Sequence, residues 1–391
     1  MAAATPLIID GSVLEGGGQI LRNAVSISAL LGKPISIQNI RQGRRPPGLK
    51  SQHNSGLKLA ADISSAQLTG AFIKSTSIDF HPGKIQLYRE YEGDAVTAGS
   101  TTLLLQIALP LLVFKTSSSR DDDNTPSSTL RLIGGTNATQ APQVDYTQHI
   151  FLPFVRQHFG VDVTLELHRR GYYPKGGGKL RAVVRPVEKL RPLRLTDRGH
   201  VVRVAGISHV AGIPRSVAEA IAKSALDRLR KQQPFVDDAS DFSWADLLSG
   251  DTPIDIRVVR EANNNTVGAG SGIVLWAELD GGGIIGGSAV GRKGISPEST
   301  GDAAAVELLN GLANGGCVDE HLQDQVILFM AMAEGKSFLN CGKNELTLHT
   351  RTAIWVAEQL TTARFDVSKD GQNVIVECEG IGYTRALYDP L

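Results

Sequence analysis

The sequence predicts an α/β protein of the α+β kind, in which helices and sheets pack in layers and one structural unit recurs. The first observation is a helix of about 14 residues followed by an alternating strand, a pattern that appears several times along the chain. Helices that repeatedly return to strands imply that sheets pack against helices. The second observation is composition, because 391 residues with 41% apolar and 20% charged side chains are typical of a globular protein with a substantial core.

The recurring elements can be followed in chain order. A strand at 6–10 precedes the first helix, and Gly32 is expected to end that helix. A further helix is predicted at about 52–63, followed by strands near 65–90. The four helices of the recurring pattern are QILRNAVSISALL, STTLLLQIALPLLVF, DYTQHIFLPFVRQHF and HLQDQVILFMAMAE.

The middle of the chain departs from this pattern, with a strand, a long helix, a polar stretch and two strands. We therefore predict two domains. Residues 1–187 and 289–391 form a large domain, and residues 188–288 form a small inserted α/β domain. The repeat pattern is expected to resume with a helix near 300–313.

Charge and cysteine content exclude several classes of protein. The formal net charge is zero, so any site for a polyanion must be a local patch. The three cysteines lack metal-ligand spacing, which favours a reducing compartment and argues against disulfides and zinc. No basic and apolar leader is visible, and no apolar run approaches the roughly 18–20 residues that span a bilayer. We expect a soluble intracellular protein without a membrane partner.

Glycines cluster where a phosphate or a metal site would need close approach of the backbone. The run EGGGQ at 15–19 places three glycines between a strand and the start of a helix, whose free N–H groups suit an anion. Its spacing matches neither a P-loop nor the dinucleotide fingerprint. Glu15 suits a metal-linked carboxylate better than a phosphate neighbour. A structural tight turn explains the glycines equally well.

Two basic segments are candidates for RNA or phosphate binding. RQGRRPPGLKSQH holds arginines in a Pro-Pro-Gly loop, and arginine binds phosphate in a bidentate manner. HRRGYYPKGGGK interleaves basic residues with two tyrosines, a combination that follows single-stranded backbones and stacks bases. A solvated basic loop and an exposed hairpin are the alternative interpretations, and the residues alone do not separate them.

The stretch from Asp319 to Thr352 holds the candidate chemistry. Asp324 and Gln325 lie on a predicted helix, and His349 lies in LHTRT, where the next helix starts. We interpret His349 as a nucleophile and Asp324 as a residue that handles a nucleotide or its metal. The chain shows no HExxH spacing and no readable Ser-His-Asp or Cys-His arrangement. A structural histidine and a solvated helix face remain open alternatives.

Taken together, these segments resemble the RNA 3′-terminal phosphate cyclase family, in its catalytic branch. The resemblance covers nearly the whole chain and implies a large domain of repeated two-helix, four-strand units, like the enolpyruvyl transferase repeat, with a smaller α/β domain inserted. The matching stretches are IDGSVLEGGGQILRNAVSISALLGKPISIQNIR, RRPPGLKSQHNSGL, AGSTTLLLQIALPLLVF, GGTNATQAPQVDY, HRRGYYPKGGGK, EHLQDQVILFMAMAEG and LHTRTAI.

The resemblance implies an ATP-dependent ligase. In that chemistry a histidine attacks the α-phosphate of ATP, and the AMP passes to an RNA 3′-phosphate to give an RNA–adenylate. The neighbouring 2′-hydroxyl then displaces AMP and leaves a 2′,3′-cyclic phosphate. A divalent metal ion, Mg²⁺ or Mn²⁺, and arginines would neutralise the phosphate charge. The implied partner is RNA with a 3′-terminal phosphate. We expect the protein in the nucleus, with the cytoplasm as the alternative location.

The family positions carry over residue by residue. His349 matches the catalytic nucleophile, and Glu15 and Asp324 match the carboxylates linked to the metal and to ATP. Several relatives carry tyrosine where this chain has His321. The positions that match nucleotide contacts are Gln106, Pro142, His321, Asp324 and Gln325. The positions that match RNA or phosphate contacts are Arg22, Arg41, Arg44, Gln52 and His53.

Two alternatives belong to the same fold. A non-cyclising branch of the family acts in ribosomal RNA maturation without the catalytic histidine, whereas this chain retains His349. An enolpyruvyl transferase would carry a different set of substrate-binding lysines and arginines. The polar segments at 116–129 and 235–252 are predicted to be lineage-specific insertions on the surface.

Overall fold

A computed structural model describes residues 5–115, 126–231 and 247–388 of the chain. Within these ranges the strands form four sheets of four strands, and three of the sheets share one topology. In each of those three, the first strand is parallel to the second, and the fourth lies antiparallel between the second and the third. The predicted insertions at 116–129 and 235–252 lie largely outside the described residues.

The first unit shows the pattern at the chain start. Helix α1 buries most of its residues, and Gly32 ends it in the left-handed conformation with φ 64°, as the sequence predicts. The unit contains, in chain order, β1 (Leu7–Asp10), α1 (Gly18–Leu31), β2 (Ile35–Gln38), α2 (Ser51–Ile63), β3 (Gln67–Thr69) and β4 (Ile78–His81).

The second unit repeats this order with a longer second helical region. Ser100 caps α3 by accepting a hydrogen bond from the Leu103 N–H. A π-helical turn at Thr147–Phe151 joins α4 and α5. The unit contains β5 (Glu90–Asp94), α3 (Thr101–Leu112), β6 (Ser128–Gly134), α4 (Val144–Tyr146), α5 (Leu152–Phe159), β7 (Asp162–Arg169) and β8 (Gly178–Arg185).

The third unit is interrupted directly after its first strand, β9 (Arg194–Leu195). The interrupting segment forms the fourth sheet, whose topology differs because β10 lies between a parallel β11 and an antiparallel β12. It contains β10 (Val201–Ala211), α6 (Arg215–Lys231), β11 (Ile254–Arg260), β12 (Gly270–Leu279), β13 (Ile284–Val290) and α7 (Pro297–Asn314). Helices α6 and α7 pack together on this sheet around a core of their own.

After the interruption the third unit is completed. Strand β14 pairs in parallel with β9, so the two ends of the interruption are held in one sheet. A short C-terminal helix, α10 (Arg385–Tyr388), packs against α1. The remaining elements are α8 (Glu320–Met332), β14 (Glu334–Asn340), α9 (Leu348–Leu360), β15 (Arg364–Asp370) and β16 (Asn373–Ile381).

This architecture confirms the predicted fold class, with three two-helix, four-strand units and a smaller α/β unit inserted. The residue boundaries of the two domains stay predictions. One element packs differently from expectation: the helix expected near 300–313 is present as α7 but packs on α6 and β13 rather than in a repeated unit. Of the described helices, none combines the length and the apolarity needed to cross a bilayer.

The helices of the three repeated units meet around α1. Helix α1 packs against α2, α3 and α9, and α8 packs against α9. Their apolar faces belong to one continuous core that runs through all three units. Polar side chains at the starts of these helices therefore come together although they lie far apart in sequence.

Candidate functional site

The glycines before α1 allow two side chains to lie against the backbone. A Cβ atom at Gly17 would sit 2.0 Å from Glu15 Oε1, and one at Gly18 would sit 2.6 Å from His53 Nε2. Gly16 has a φ of 57°, which favours glycine and turns the chain. The run EGGGQ thus serves as a tight turn and as a surface for close approach, so both interpretations of it hold.

A hydrogen-bonded chain connects His349 at the start of α9 with Asp324 on α8 through Gln19 on α1. Gln19 Nε2 donates to Asp324 Oδ2 at 2.7 Å, and His349 Nδ1 lies 2.6 Å from Gln19 Oε1. An ionised carboxylate only accepts hydrogen bonds, so Asp324 turns the amide nitrogen of Gln19 towards itself. The amide oxygen must then accept from His349 Nδ1–H. In neutral His349 this leaves the lone pair on Nε2.

The electrostatics around Asp324 are those of a buried charge with cations nearby. Burial raises the pKa of Asp324 to about 6, and the charges of His349 and Arg22 act in the opposite direction. Burial also lowers the pKa of the Arg22 guanidinium, while Asp324 and Glu15 act to raise it. Arg22 therefore lies within the influence of both carboxylates that the sequence assigns to the metal and to ATP.

Glu15 is the described residue best suited to hold a metal ion. Its Oε1 accepts from Arg44 at 2.6 Å, whereas its Oε2 is buried without a hydrogen-bond partner. Among the described ranges no group of three His, Cys, Asp or Glu side chains forms a metal cage. Mg²⁺ needs only one or two protein carboxylates when substrate phosphates and waters complete its shell. The unpaired oxygen of Glu15 fits a metal held in that way.

The basic loop before α2 divides into buried and exposed arginines. Arg41 is buried, and its guanidinium donates to the carbonyl oxygens of Gly48 at 2.7 Å and Pro46 at 3.2 Å. Arg41 therefore holds the loop in shape in this conformation. Arg44 is exposed apart from its contact with Glu15, so it is the arginine of this loop that faces the site.

Gln52 and His53 follow on the first turn of α2. Gln52 Oε1 accepts from the Ser100 N–H at 3.0 Å and so connects α2 to the start of α3. Burial and the charges of Arg22 and Arg41 lower the pKa of His53 to about 3, so the ring is neutral at physiological pH. Its Nδ1 accepts from the Lys50 N–H at 3.2 Å, which places the proton on Nε2 beside Gly18.

The residues assigned to the nucleotide lie along α3 and α8. Gln106 Nε2 donates to Gln325 Oε1 at 2.9 Å, and Gln325 Nε2 donates to the His321 carbonyl oxygen at 2.6 Å. A cleft between these helices and α1 is lined by Gln19, Arg22, Asn23, Gln106, Leu109, Pro110, Phe151, Asp324, Gln325, Leu328 and Phe329.

Two assigned positions, Pro142 and His321, are not among the residues that line this cleft. Pro142 is joined to the start of α3, because its carbonyl oxygen accepts from Thr102 Oγ1 at 2.8 Å. A hydrogen bond to Glu307, with Nε2 and Oε1 at 3.2 Å, raises the pKa of His321 to about 9 against the effect of burial. His321 is thus a cation at physiological pH.

Sequence reasoning missed two residues of this site. Gln19 was visible only as the last letter of EGGGQ, although it and Arg22 share one face of α1 as an i, i+3 pair. Thr352 lies in LHTRT without an assigned role, yet its Oγ1 accepts from the Glu15 N–H at 3.2 Å. The available signal was a polar triplet, Gln19, Arg22 and Asn23, in the first half of a largely apolar helix.

Comparison with known proteins assigns the family. A family model described as RNA 3′-terminal phosphate cyclase matches residues 13–367. The RNA 3′-terminal phosphate cyclase of Pyrobaculum aerophilum is 38% identical over 380 residues, which cover 96% of this chain and 99% of that protein. The Drosophila melanogaster protein of the same description is 37% identical over 389 residues, which cover 99% of this chain and 100% of that protein.

The fold and the site together define an α+β enzyme of the ligase type, built from repeated units around a histidine, two carboxylates and a basic loop. The chain belongs to the RNA 3′-terminal phosphate cyclase family. Family, fold class and enzyme class are thereby confirmed. The roles of the individual site residues stay predictions.

Proposed function

We propose that this protein uses ATP to convert the 3′-terminal phosphate of an RNA into a 2′,3′-cyclic phosphate through a covalent His349–AMP intermediate. The observation that carries the proposal is the chain from Asp324 through Gln19 to His349 Nδ1. It supports the tautomer in which Nε2 carries the lone pair and can attack, on a residue that is exposed to solvent. The relatives described as RNA 3′-terminal phosphate cyclases agree with this activity.

The proposed steps balance as three displacements at phosphorus. His349 Nε2 forms a bond to the α-phosphorus of ATP while the bond to pyrophosphate breaks. An oxygen of the RNA 3′-phosphate then attacks the same phosphorus, which releases Nε2 and gives an RNA–adenylate. The 2′-hydroxyl oxygen finally attacks the RNA phosphorus and loses its proton, and AMP leaves.

The side chains of the candidate site divide this work by their charge. Gln19 holds the imidazole in one tautomer, as an orienting group does in other nucleophilic sites. Arg22 and Arg44 supply positive charge to phosphate oxygens, with His53 Nε2–H as a neutral donor beside Gly18. A divalent metal, when bound at Glu15, would neutralise phosphate charge. The proposed nucleotide contacts are Gln106, Pro142, His321 and Gln325. Hydrogen bonds join three of them, Gln106, Gln325 and His321.

Adenylation of the protein tests this proposal directly. Incubation with adenine-labelled ATP and Mg²⁺ or Mn²⁺ should label the wild-type chain through an acid-labile, alkali-stable bond, and His349→Ala should remain unlabelled. The labelled protein should then convert an RNA 3′-phosphate into an end that resists phosphatase. Equal labelling of wild type and His349→Ala would overturn the proposed nucleophile.

The same assay distinguishes the proposed enzyme from the alternative function. A folded chain that binds ATP but neither becomes labelled nor cyclises RNA would instead fit a non-catalytic factor in ribosomal RNA maturation. A location in the nucleus is part of the proposal, and imaging of the tagged full-length chain tests it. Replacing Glu15 with Gln should raise the metal concentration needed for half-maximal labelling about tenfold, because one anionic ligand is lost.

A further inference from the structure

Three neighbouring surface segments expose large apolar side chains that the proposed chemistry does not use. Phe72 is 63% exposed, Val96 is 76% exposed and Tyr173 is 83% exposed. Aromatic rings left in water at the edge of a charged site are suited to stacking on nucleic-acid bases, because every base has a π-face. These three residues, with the exposed Lys50 and Lys175, are called the stacking rim below.

The first part of the rim is built onto the basic loop. Phe72 lies in a turn whose Lys74 N–H donates to the Leu49 carbonyl oxygen at 2.8 Å. Gly48 packs against the same turn so closely that a Cβ atom there would lie 2.3 Å from the Lys74 carbonyl oxygen. Phe72 is therefore fixed beside the loop that carries Arg44.

The second part of the rim is built onto the start of α2. Ser51 Oγ donates to the Ala95 carbonyl oxygen at 3.0 Å, which places Val96 next to Lys50 and Gln52. A Cβ atom at Gly99 would lie 2.9 Å from Gln52 Cβ, so this segment also touches a predicted RNA-contacting side chain. The stacking rim therefore adjoins the candidate site at Gln52.

The third part is the hairpin between β7 and β8, which carries Tyr173 and Lys175. A Cβ atom at Gly176 would lie 2.5 Å from the Thr97 carbonyl oxygen, so the hairpin packs directly on the segment after Val96. Arg169 Nε donates to the Gly177 carbonyl oxygen at 2.8 Å and holds the hairpin from behind. Tyr173 is left free to meet a ligand.

The charge of this surface also suits a polyanion. Lys50, Lys74 and Lys175 are exposed, and Arg44 and Arg45 lie on the adjoining loop. Of the acids nearby, Glu15 pairs with Arg44 at 2.6 Å, and the Asp94 carboxylate accepts from the Val96 N–H at 2.7 Å. Since the whole chain has no net charge, this is a local basic patch of the kind that binding to a nucleic-acid backbone requires.

We propose that the stacking rim binds unpaired nucleotides on the 5′ side of the RNA 3′-phosphate, with Tyr173 and Phe72 stacking on bases and Lys50 and Lys175 contacting the backbone. This inference rests on the proposed function for the position of the 3′ end. It selects single-stranded ends, because paired and stacked bases hide the faces that the two rings would contact. Bases are accepted without regard to sequence, since stacking does not read their edges.

Binding of fluorescein-labelled RNA to the full-length protein, followed by anisotropy, tests the rim separately from catalysis. The probes are a dinucleotide and a single strand of about ten nucleotides, each with a 3′-phosphate. Tyr173→Ala should weaken binding of the longer strand about tenfold and leave the dinucleotide within about twofold, because a lost stack matters only where a base reaches it. Tyr173→Phe, which keeps the ring, should bind like wild type.

The lysine prediction has a matched control. In Lys175→Ala the plot of log affinity against log salt should be shallower by about 0.7, the contribution of one phosphate contact to a single strand. Lys369→Ala, which removes an exposed lysine on β15 in the third unit, should leave the slope unchanged. Three outcomes would overturn the stacking rim. The two lysine variants could have equal slopes, or Tyr173→Ala could weaken binding of both probes equally. The wild-type protein could also bind a blunt duplex as tightly as the single strand.

Failure of the rim and failure of the proposed function give different results. If the rim is wrong but the function is right, Tyr173→Ala binds both probes like wild type while His349 still accepts the AMP label. If the function is wrong, wild type takes up no label, and the dependence of anisotropy on RNA length still tests the rim.

Discussion

Two clusters in this protein use the same kinds of side chain and have opposite characters. The first joins His349, Gln19 and Asp324 at the cleft, with the imidazole exposed to solvent. The second joins His209, Asp145 and Arg170 where the second unit meets the inserted sheet, and all three are at least 97% buried. Histidine and carboxylate occur in both, so residue type alone does not distinguish a reactive site from a structural one.

The difference lies in how completely the polar atoms are paired. Burial opposes ionisation of Asp145, but the charge of Arg170 and its two hydrogen bonds, at 2.7 and 2.8 Å, outweigh burial and hold the pKa of Asp145 well below its ordinary value. Burial and Arg170 lower the pKa of His209 to about 3, and its Nδ1 lies 2.9 Å from the Tyr172 hydroxyl. Each group of this cluster is locked in one protonation state.

In contrast, the cluster at the cleft contains a group that can change its protonation state and atoms that remain unpaired. Burial raises the pKa of Asp324 to about 6, close enough to physiological pH for the group to titrate. His349 uses Nδ1 for Gln19, and the tautomer argument leaves the lone pair on Nε2. Glu15 beside it retains one buried oxygen without a partner. Incomplete pairing at an accessible cleft, rather than the presence of histidine, is what points to chemistry.

The largest expected effect separates the two histidines. His349→Ala should abolish adenylation, a loss of at least about 10⁴-fold because a nucleophile has no substitute, while the thermal unfolding temperature stays near that of wild type. His209→Ala should leave adenylation intact and lower the unfolding temperature, because it leaves the hydrogen-bond partners of a buried ring unpaired. Adenine labelling and a thermal melt on both variants make the comparison. Loss of labelling only in His209→Ala would invert our assignment.

Removal of the buried arginine should come next in size. Arg170→Ala leaves Asp145 charged and unpaired in the interior, so the free energy of unfolding should fall by about 3–5 kcal/mol. Arg203→Ala is the control, because its pair with Glu278 is exposed and contributes at most about 1 kcal/mol. Urea denaturation measures both, and similar values would show that the buried cluster does not stabilise the fold more than an exposed ion pair does.

Gln19 is expected to act through His349, as a positioning residue. Gln19→Ala should lower the rate of adenylation about 100-fold and leave the KM for ATP within about threefold, because the wrong tautomer is populated without loss of a nucleotide contact. Single-turnover labelling at several ATP concentrations separates the two constants. A change confined to KM would place Gln19 among the nucleotide ligands instead.

The smallest effect concerns pH. The folded pKa of Asp324 lies above its ordinary value, so this carboxyl takes up a proton as the pH falls through about 6 and no longer fixes the amide of Gln19. Adenylation should decline about tenfold per pH unit below that point. In Asp324→Asn the midpoint of this decline should move, and an unmoved midpoint would assign it to another group.

The same shift has a consequence for stability with a definite sign. Because burial raises the pKa of Asp324 to about 6, the folded chain holds a proton that the unfolded chain has already lost between about pH 4 and 6. The contribution of Asp324 to the free energy of unfolding therefore decreases as the pH rises through this window. Comparing urea denaturation of wild type and Asp324→Asn across that range measures it.

Much of the fold could be predicted from local patterns. The apolar face of α1 and the glycine that ends it were readable because helix periodicity and the left-handed cap are local properties. The sequence did not predict the unit to which α7 belongs, because the pattern of an amphipathic helix does not indicate which sheet it packs against. Its packing on α6 and β13 depends on contacts far away in sequence.

The site divides in the same way. His349, Asp324 and Glu15 were identifiable because family motifs preserve residue type and order. The different orientations of Arg41 and Arg44 were not predictable, because both are arginines in one basic run. In the structure Arg41 turns inward to its own loop, whereas Arg44 faces Glu15.

By itself, the sequence determined the class of this protein: the periodic helices and strands, the family motifs and the identities of the candidate nucleophile and carboxylates. Only the tertiary structure decided which of these groups meet. Gln19 lies between His349 and Asp324 because three helices from two units converge, and the direction of each hydrogen bond follows from that arrangement. The position of a proton and the burial of a side chain depend on the residues that surround it in the folded protein. The order of residue types along the chain therefore could not predict them.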